Sequence, residues 1–429
     1  MAVPPARAPR RLAVIGAGWA GLAGGVEAVR AGHAVTVCEM APHPGGRARE
    51  VRQGGFVFDN GQHILIGAYV ETLRLMRIVG VAEQAALLRT PLRIGDAAGR
   101  GLHLRAGAPV PAFIAAVARR AGWRWSDKLS LLAAAGTWAL RRFDCDPTLD
   151  VASLTRGLSP TVRDDLIEPL CVAALNTPAS EASARVFLRV LRDALFAGPG
   201  SADLLLPRIS LSAMFPLPAA RWLERAGATL RFSQRVQTLE RDGDKWRVDG
   251  QAFDQVLLAT PPGESARLTQ ALDPGWSAAA AALGYEPIVT VYAQAEGTRL
   301  PEPMIALRCD EKAPAQFVFD RGQLGGPPGL LAFVISGAAS WVGRGVEATL
   351  QATLEQARTQ LSNHLRGPLQ PVQTLIEKRA TFRCTPALRR PALCIAAGLH
   401  AAGDFVDGPY PATIEGSVRS AVQAVRAFG

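Results

Sequence analysis

The chain is poor in the features that mark several common classes of protein. Its six cysteines (Cys38, Cys145, Cys171, Cys309, Cys384 and Cys394) are scattered through 429 residues, and none forms a C-x-x-C pair. That spacing excludes a disulfide framework and a zinc ribbon, and points to free or buried thiols in a reducing, cytoplasmic compartment. The six histidines (His33, His43, His63, His103, His364 and His400) make no ligand-spaced pair, so no metal site is expected. No apolar run reaches the ~18 residues of a membrane-spanning helix. The nearest, "LSLLAAAGTWAL" at Leu129–Leu140, suits a buried or interfacial helix. The opening "MAVPPARAPRR" is basic but Pro-rich, and the short apolar run after it leads straight into glycines, which reads as a strand and not as a signal segment. No block of Lys and Arg with interleaved aromatics appears, which argues against nucleic acid.

What the chain does have is length, glycine and arginine. Its 429 residues exceed one ordinary core and predict two domains. Hydrophobic residues make up 48%, and 42 Gly with 31 Pro imply the many sharp turns of a large α/β protein. The formal charge of +10 is mostly an arginine excess. It fits an anionic membrane surface, phosphorylated ligands, or simply a solvated basic exterior.

Residues 11–40 carry the clearest motif, "RLAVIGAGWAGLAGGVEAVRAGHAVTVCEM". An apolar strand over Leu12–Ile15 runs into Gly16-Ala-Gly18-Trp19-Ala20-Gly21, a helix follows to about Arg30, and a second strand, Ala34–Cys38, ends at Glu39. Gly16 permits the tight turn, Gly18 lets the main chain approach a pyrophosphate, and Gly21 lets helix and strand pack closely. The helix N-terminus offers N–H groups to the phosphates. Glu39 can accept both ribose hydroxyls and would repel a 2′-phosphate, which makes NADPH a poor fit here. The context of strand, helix and terminal acid makes this a dinucleotide site, without deciding between NAD and FAD.

Two further stretches follow. "PHPGGRARE" (42–50) sets Gly45, Gly46 and Arg47 just past the acidic strand end, with Arg49 two residues on. Either its guanidinium groups bridge phosphate oxygens, or it is a solvated loop. "FVFDNGQHILIG" (56–67) interrupts an apolar run with Asp59, Asn60, Gly61, Gln62 and His63. This is a turn facing a ligand or a plain hairpin turn. The sequence "RDGDKW" carries a hairpin signal near 243, and residues 109–143 read as two helices around a Trp-Arg-Trp turn at Trp123–Trp125. Their apolar faces and paired arginines fit either an interfacial membrane contact or an amphipathic pair packed on the core. Strand-like runs at 285–335 suit a sheet lining an apolar tunnel, and 346–366 reads as helix.

Together "VIGAGWAGLAGG", Glu39, "GGRARE", "DNGQHILIGAY" (59–69), "DLLLPRISLSAMFP" (203–216) and "GDFVDGPYPATIEGSVRSA" (403–421) resemble the flavin-dependent amine oxidase and phytoene desaturase superfamily. Within it they look most like the hydroxysqualene dehydroxylases of hopanoid and squalene biosynthesis. The likeness spans nearly the whole chain. It departs at Phe405-Val406-Asp407, where an aromatic-Thr pair is expected, and at Arg419-Ser420-Ala421, where a glycine is expected after the serine.

The resemblance implies an α/β fold: a Rossmann-like FAD-binding domain of the amine oxidase type (1–84, 215–275 and 386–429) with an interleaved α+β substrate domain (85–214 and 276–385). It implies FAD as cofactor. The backbone at Val236 would meet the adenine, Gly403 and Asp404 the ribityl and phosphate portion, and the helix starting near Ala412, Thr413 and Ile414 the flavin. The preceding strand would be "ALCIAAG" (392–398). The implied reaction is reductive removal of the hydroxyl of hydroxysqualene, with hydride passing from reduced flavin to an allylic cation. His63, Tyr410 and Glu415 are then candidates to protonate the departing hydroxyl. The same likeness implies peripheral contact with the inner face of the cell membrane and functional coupling to squalene-pathway synthases. Two rivals stand beside it: a desaturase or amine oxidase that uses oxidised FAD, and a non-catalytic flavoprotein that presents lipid to a partner.

Overall fold

A computed structural model describes residues 9–428; the Pro-rich opening of residues 1–8 lies outside them. Six strands form the sheet that carries the glycine motif, in the order Thr229–Arg231, Ala34–Cys38, Arg11–Ile15, Gln255–Leu258, Leu399–Ala401, Cys394–Ala396. The first five run parallel and the last is antiparallel. The central strands are apolar almost throughout because both faces are covered. The helices Trp19–Arg30 and Ile414–Ala427 pack on one face, where Leu22, Val26, Val418, Ala421 and Val422 share a core. On the other face lies a three-stranded antiparallel layer, Leu239–Asp242, Lys245–Val248 and Gln251–Phe253, which buries Trp246. Its first hairpin turns at Gly243, as the sequence signals.

Ahead of Gly403 the expected strand over 392–398 is a hairpin instead. Gly398 adopts φ +78° and turns the chain, so the strand that joins the parallel sheet begins at Leu399.

A second sheet is antiparallel, in the order Met304–Ala306, Phe317–Asp320, Leu330–Ile335, Tyr285–Gln294, Gln370–Phe382. Its inner strands are buried along most of their length because each face meets a core, whereas the edge strand Gln370–Phe382 is more polar and partly exposed. One face packs Val289, Val291, Leu331 and Phe333 with Leu354, Ala357 and Leu361 from the helix Val346–Gln360 and its end. The opposite face presents Phe317, Phe319, Tyr292 and Val334. A helical block over 109–196 has its own core, which includes Val117, Trp123, Leu131, Trp138, Ile167 and Phe187. Within it the helices Pro109–Arg119 and Trp125–Leu140 flank the Trp-Arg-Trp turn. Trp123 is buried and donates Nε1–H to Asp165, whereas Trp125 is 69% exposed. No helix of the described residues is long and apolar enough to cross a membrane.

Candidate active site

The strand Arg11–Ile15 delivers the chain to Gly16, whose φ of +105° and N–H bond to the Cys38 carbonyl (2.7 Å) close the turn. A Cβ at Gly21 would stand 1.8 Å from the Gly16 carbonyl oxygen. Gly21 therefore closes helix onto turn, and it is absent from the cavity wall. No side chain caps the helix that begins at Trp19, so its first turn keeps donors for a ligand. Gly18 pairs with Gly45 as a parallel bridge, which brings the "GGR" loop against the fingerprint. The Glu39 carboxylate accepts the N–H of Ala17 (2.6 Å) and of Ala41 (2.8 Å), which fixes it at the mouth of the turn.

These segments line a cavity of about 720 Å³. Gly16, Gly18, Trp19, Ala20, Glu39, Gly45 and Gly46 form one end, joined by Val236 and by Thr260-Pro261, and Arg47 leads from it toward Asp404. Asn60, Gly61, Gln62 and His63 form the middle, opposite Gly403, Asp404, Ala412, Thr413 and Ile414. The far end meets the second sheet at Ile288, Phe317, Phe319 and Val334, and the helix end at Ala173, Ala174 and Asn176.

Arg47 does more than its loop suggested. Nη2 lies 2.6 Å from Asp404 Oδ1, and Nη1 donates to the carbonyls of Arg379 (3.2 Å) and Ala380 (2.9 Å) on the edge strand Gln370–Phe382. Arg49 instead donates to the Gly46 carbonyl. Asn60 donates Nδ2–H to the Arg47 carbonyl (3.0 Å) and to Glu377 Oε2 (2.9 Å). The Gln62 carboxamide turns its oxygen to Arg321 (3.2 Å), leaving a buried Nε2 with no partner. Beneath this turn, burial pushes the Asp59 carboxyl up to about 6, against the Leu211 N–H and the Arg321 charge that favour its ionised form.

His63 Nδ1 is 2.9 Å from the Gly61 carbonyl. A carbonyl only accepts, so the proton sits on Nδ1 and Nε2 is the free nitrogen. Burial lowers the pKa below the ordinary 6.5; the Gly61 bond opposes this and the Arg47 charge adds to it.

Of the three residues considered as proton donors, His63 alone lines the cavity. Glu415 is fully buried at the start of the C-terminal helix and faces away. Its carboxylate accepts the backbone N–H groups of Glu71 (3.1 Å) and Thr72 (2.9 Å), the Thr72 hydroxyl (2.7 Å) and Arg419 Nε (2.6 Å). It thereby caps the helix Val70–Ile78, where a negative charge satisfies free N–H groups. Tyr410 stands behind the wall, edge-on to Tyr69 at 5.8 Å and 4.8 Å from the Arg419 guanidinium. Burial and Asp193 push its hydroxyl up to about 12. The helix starts at Ile414, within the expected stretch, because Thr413 is its N-cap and accepts the Gly416 N–H at 3.0 Å. Ser420, in the stretch that departs from the family pattern, accepts the Gly403 N–H at 2.9 Å and clasps the Gly-Asp turn to that helix.

Sequence reasoning passed over Tyr69, Asn176 and Glu377, all in the cavity wall. Tyr69 follows the "DNGQH" stretch closely enough to have been drawn in. Asn176 adopts φ +51° and ends the helix Glu168–Leu175. Its Nδ2 donates to the Glu286 carbonyl and Thr381 Oγ1, and its Oδ1 accepts the Gly337 N–H. Among the described residues no group of side chains could hold a metal ion.

An uncapped helix start, a glycine-lined cleft, an acid at the second strand end and an orphaned amide N–H in the wall are the donors and space that a dinucleotide requires. Because the C-terminal segment continues the same cavity, the site suits one longer than its ADP half. Fold and site define an FAD-dependent oxidoreductase. The chain belongs to the flavin containing amine oxidoreductase family, whose model matches residues 19–428. It is 29% identical to a hydroxysqualene dehydroxylase of Rhodopseudomonas palustris, over 96% of each chain. A second hydroxysqualene dehydroxylase, from Sinorhizobium fredii, is 28% identical over 97% of each. In structure it is similar to the cyclohexylamine oxidase of Brevibacterium oxydans, with a TM-score of 0.69 and 16% identity over 98% of both chains.

Proposed function

We propose that this protein converts hydroxysqualene to squalene, removing the allylic hydroxyl with reduced FAD. The observation that carries this reading is the continuity of the cavity, from Glu39 and the fingerprint turn to an apolar sheet face of Ile288, Phe317, Phe319 and Val334. A long isoprenoid needs such a wall, and the full-length likeness to two hydroxysqualene dehydroxylases supports the same substrate. We assign the FAD-binding part to 1–84, 215–275 and 386–429, and the substrate part to 85–214 and 276–385.

The ADP half would be held by Gly16, Gly18, Trp19, Ala20, Glu39, Gly45, Gly46 and Val236, with Gly21 closing the turn. The flavin half would be held by Arg47, Asn60, Gly61, Gln62, Gly403, Asp404, Ala412, Thr413 and Ile414. FAD, when bound and reduced, supplies a hydride equivalent. The protein's own tasks are then to exclude water with the apolar sheet face, to hold the allylic carbon, and to protonate the hydroxyl oxygen. His63 is the proton carrier in this reading. Its low pKa makes the imidazolium a strong acid, and Nε2 is the nitrogen free to carry that proton.

The substrate resides in lipid, so the reading includes docking on an anionic membrane at the cytoplasmic face. Ile114, Trp125, Leu129 and Leu140 are exposed on the two helices around the Trp-Arg-Trp turn, with Leu140 88% exposed. Exposed Arg119, Arg124, Arg141 and Arg142 accompany them. Apolar side chains among basic ones are what an interfacial contact with anionic lipid requires.

An anaerobic single turnover tests the reaction. Photoreduced flavoprotein is mixed with hydroxysqualene in detergent, and flavin absorbance and squalene are followed together. Matched reoxidation and squalene formation are expected; flavin that stays reduced beside intact substrate overturns the reading.

A further inference from the structure

The second sheet lines the far end of the cavity mostly with apolar side chains, and adds Thr381, Ser336 beside it, and one acid, Glu377. Glu377 stands opposite Ile288 in the antiparallel register, so the two side chains leave the same face, and both reach the cavity wall. Among the described residues, it is the one titratable side chain that the strands of this sheet contribute to the cavity. Its Oε2 accepts Asn60 Nδ2–H at 2.9 Å and its Oε1 accepts the Arg379 N–H at 3.0 Å. Both oxygens accept, as those of a carboxylate do. Asn60 is itself held by the Arg47 carbonyl, so the carboxylate is clamped where the polar half of the cavity meets the apolar half.

Glu377 is half-buried beside this wall, and its carboxylate gains from any opposite charge brought into the cavity. The Arg47 charge attracts this carboxylate, while its guanidinium hydrogen bonds go to Asp404 and to the Arg379 and Ala380 carbonyls. A neutral isoprenoid offers the carboxylate nothing. The cation formed from it offers a full positive charge.

We propose that Glu377 is the anionic group that stabilises the positive charge developing on the allylic substrate, an inference that rests on the dehydroxylation reading above. The C–O bond breaks as His63 gives its proton to the hydroxyl oxygen, and water departs with the bonding pair. The allylic carbon, left cationic, faces the Glu377 carboxylate. Reduced FAD, when bound, would supply the hydride for the new C–H bond and the proton that restores the His63 imidazolium. Carbon gains two electrons and the cofactor loses two. Charge placed in advance where charge develops is the most effective form of such stabilisation.

The test uses the FAD-loaded protein and two probes, a squalene-length quaternary ammonium, which no amine oxidation can consume, and squalene itself. Glu377→Gln should weaken ammonium binding roughly 30-fold or more and leave squalene binding unchanged. Its turnover of hydroxysqualene should fall about 100-fold, with flavin content and Tm as in the parent. Glu377→Asp keeps the charge and should keep the preference for ammonium over squalene. Equal ammonium binding by parent and Glu377→Gln overturns the inference, as does a loss of both probes together. Loss of the preference in Glu377→Asp overturns it even if Glu377→Gln fails to fold. Parent protein that leaves hydroxysqualene unconverted overturns the functional reading instead, and shows it before any variant is measured.

Discussion

Arg47 Nη2 lies 2.6 Å from Asp404 Oδ1 and joins two segments 357 positions apart in the chain. The same guanidinium reaches the edge strand of the second sheet. One side chain thus ties together the glycine loop, the Gly-Asp turn and the sheet that forms the apolar wall. Arg47→Ala should destabilise the protein by about 2 kcal/mol, since it leaves a nearly buried carboxylate unpaired. Urea unfolding measures the loss, and a cycle with Asp404→Ala separates the pair from its surroundings. Retained FAD should fall with it.

His63→Ala should lower kcat/KM for hydroxysqualene by about 100-fold while the flavin spectrum stays that of the parent. In the parent protein kcat/KM should fall as pH rises through a value below 6.5, because the protonated imidazole is the active form and burial lowers its pKa. A profile that is flat from about pH 5 to 8 would remove His63 from the proton path.

Asp59 predicts a pH dependence of stability. Folded, its carboxyl is held at about 6, and the ordinary value is 3.8. Between these values the folded protein binds a proton that the unfolded chain releases. Stability from this group is therefore full below the lower value, declines as pH rises toward 6, and levels off above. The decline is on the order of 2–3 kcal/mol. Asp59→Asn keeps an acceptor for the Leu211 N–H and should flatten that segment of the curve, as denaturation at pH 4.5 and about pH 7 would record.

Glu415→Gln should destabilise by roughly 2 kcal/mol, through the capped N–H groups of Glu71 and Thr72 and the ion pair with Arg419. Turnover per bound flavin should stay near that of the parent, which single-turnover kinetics reads directly. A collapse of the chemical step with FAD still bound would return Glu415 to the list of proton donors.

Replacing Trp125, Leu129 and Leu140 together by Ser should abolish sedimentation with anionic vesicles and leave FAD content unchanged, because these side chains are exposed and touch no part of the cavity. Unaltered sedimentation would sink the membrane assignment for these helices.

The residues of the fingerprint were legible from the sequence because their physics is local. A strand, a glycine turn, a helix start and an acid at the next strand end all follow from neighbours within thirty or so positions. The two helices around the Trp-Arg-Trp turn and the hairpin at Gly243 were legible for the same reason. The C-terminal contribution to the site was legible through resemblance, although its strand was set too early, since nothing local shows that Gly398 turns a hairpin.

Tertiary structure decided the rest. Glu415 and Asp404 are both acids near the start or entry of one helix, yet one caps a distant helix and the other lines the cavity. Partners more than 340 positions away made that choice. Glu377 is one acid in "LIEKRATF" until the register sets it opposite Ile288 and against Asn60. Sequence determines where a chain can turn, pair or cap, because those preferences are short-ranged. Which face a side chain serves depends on what packs there, and that is settled only when the two sheets meet.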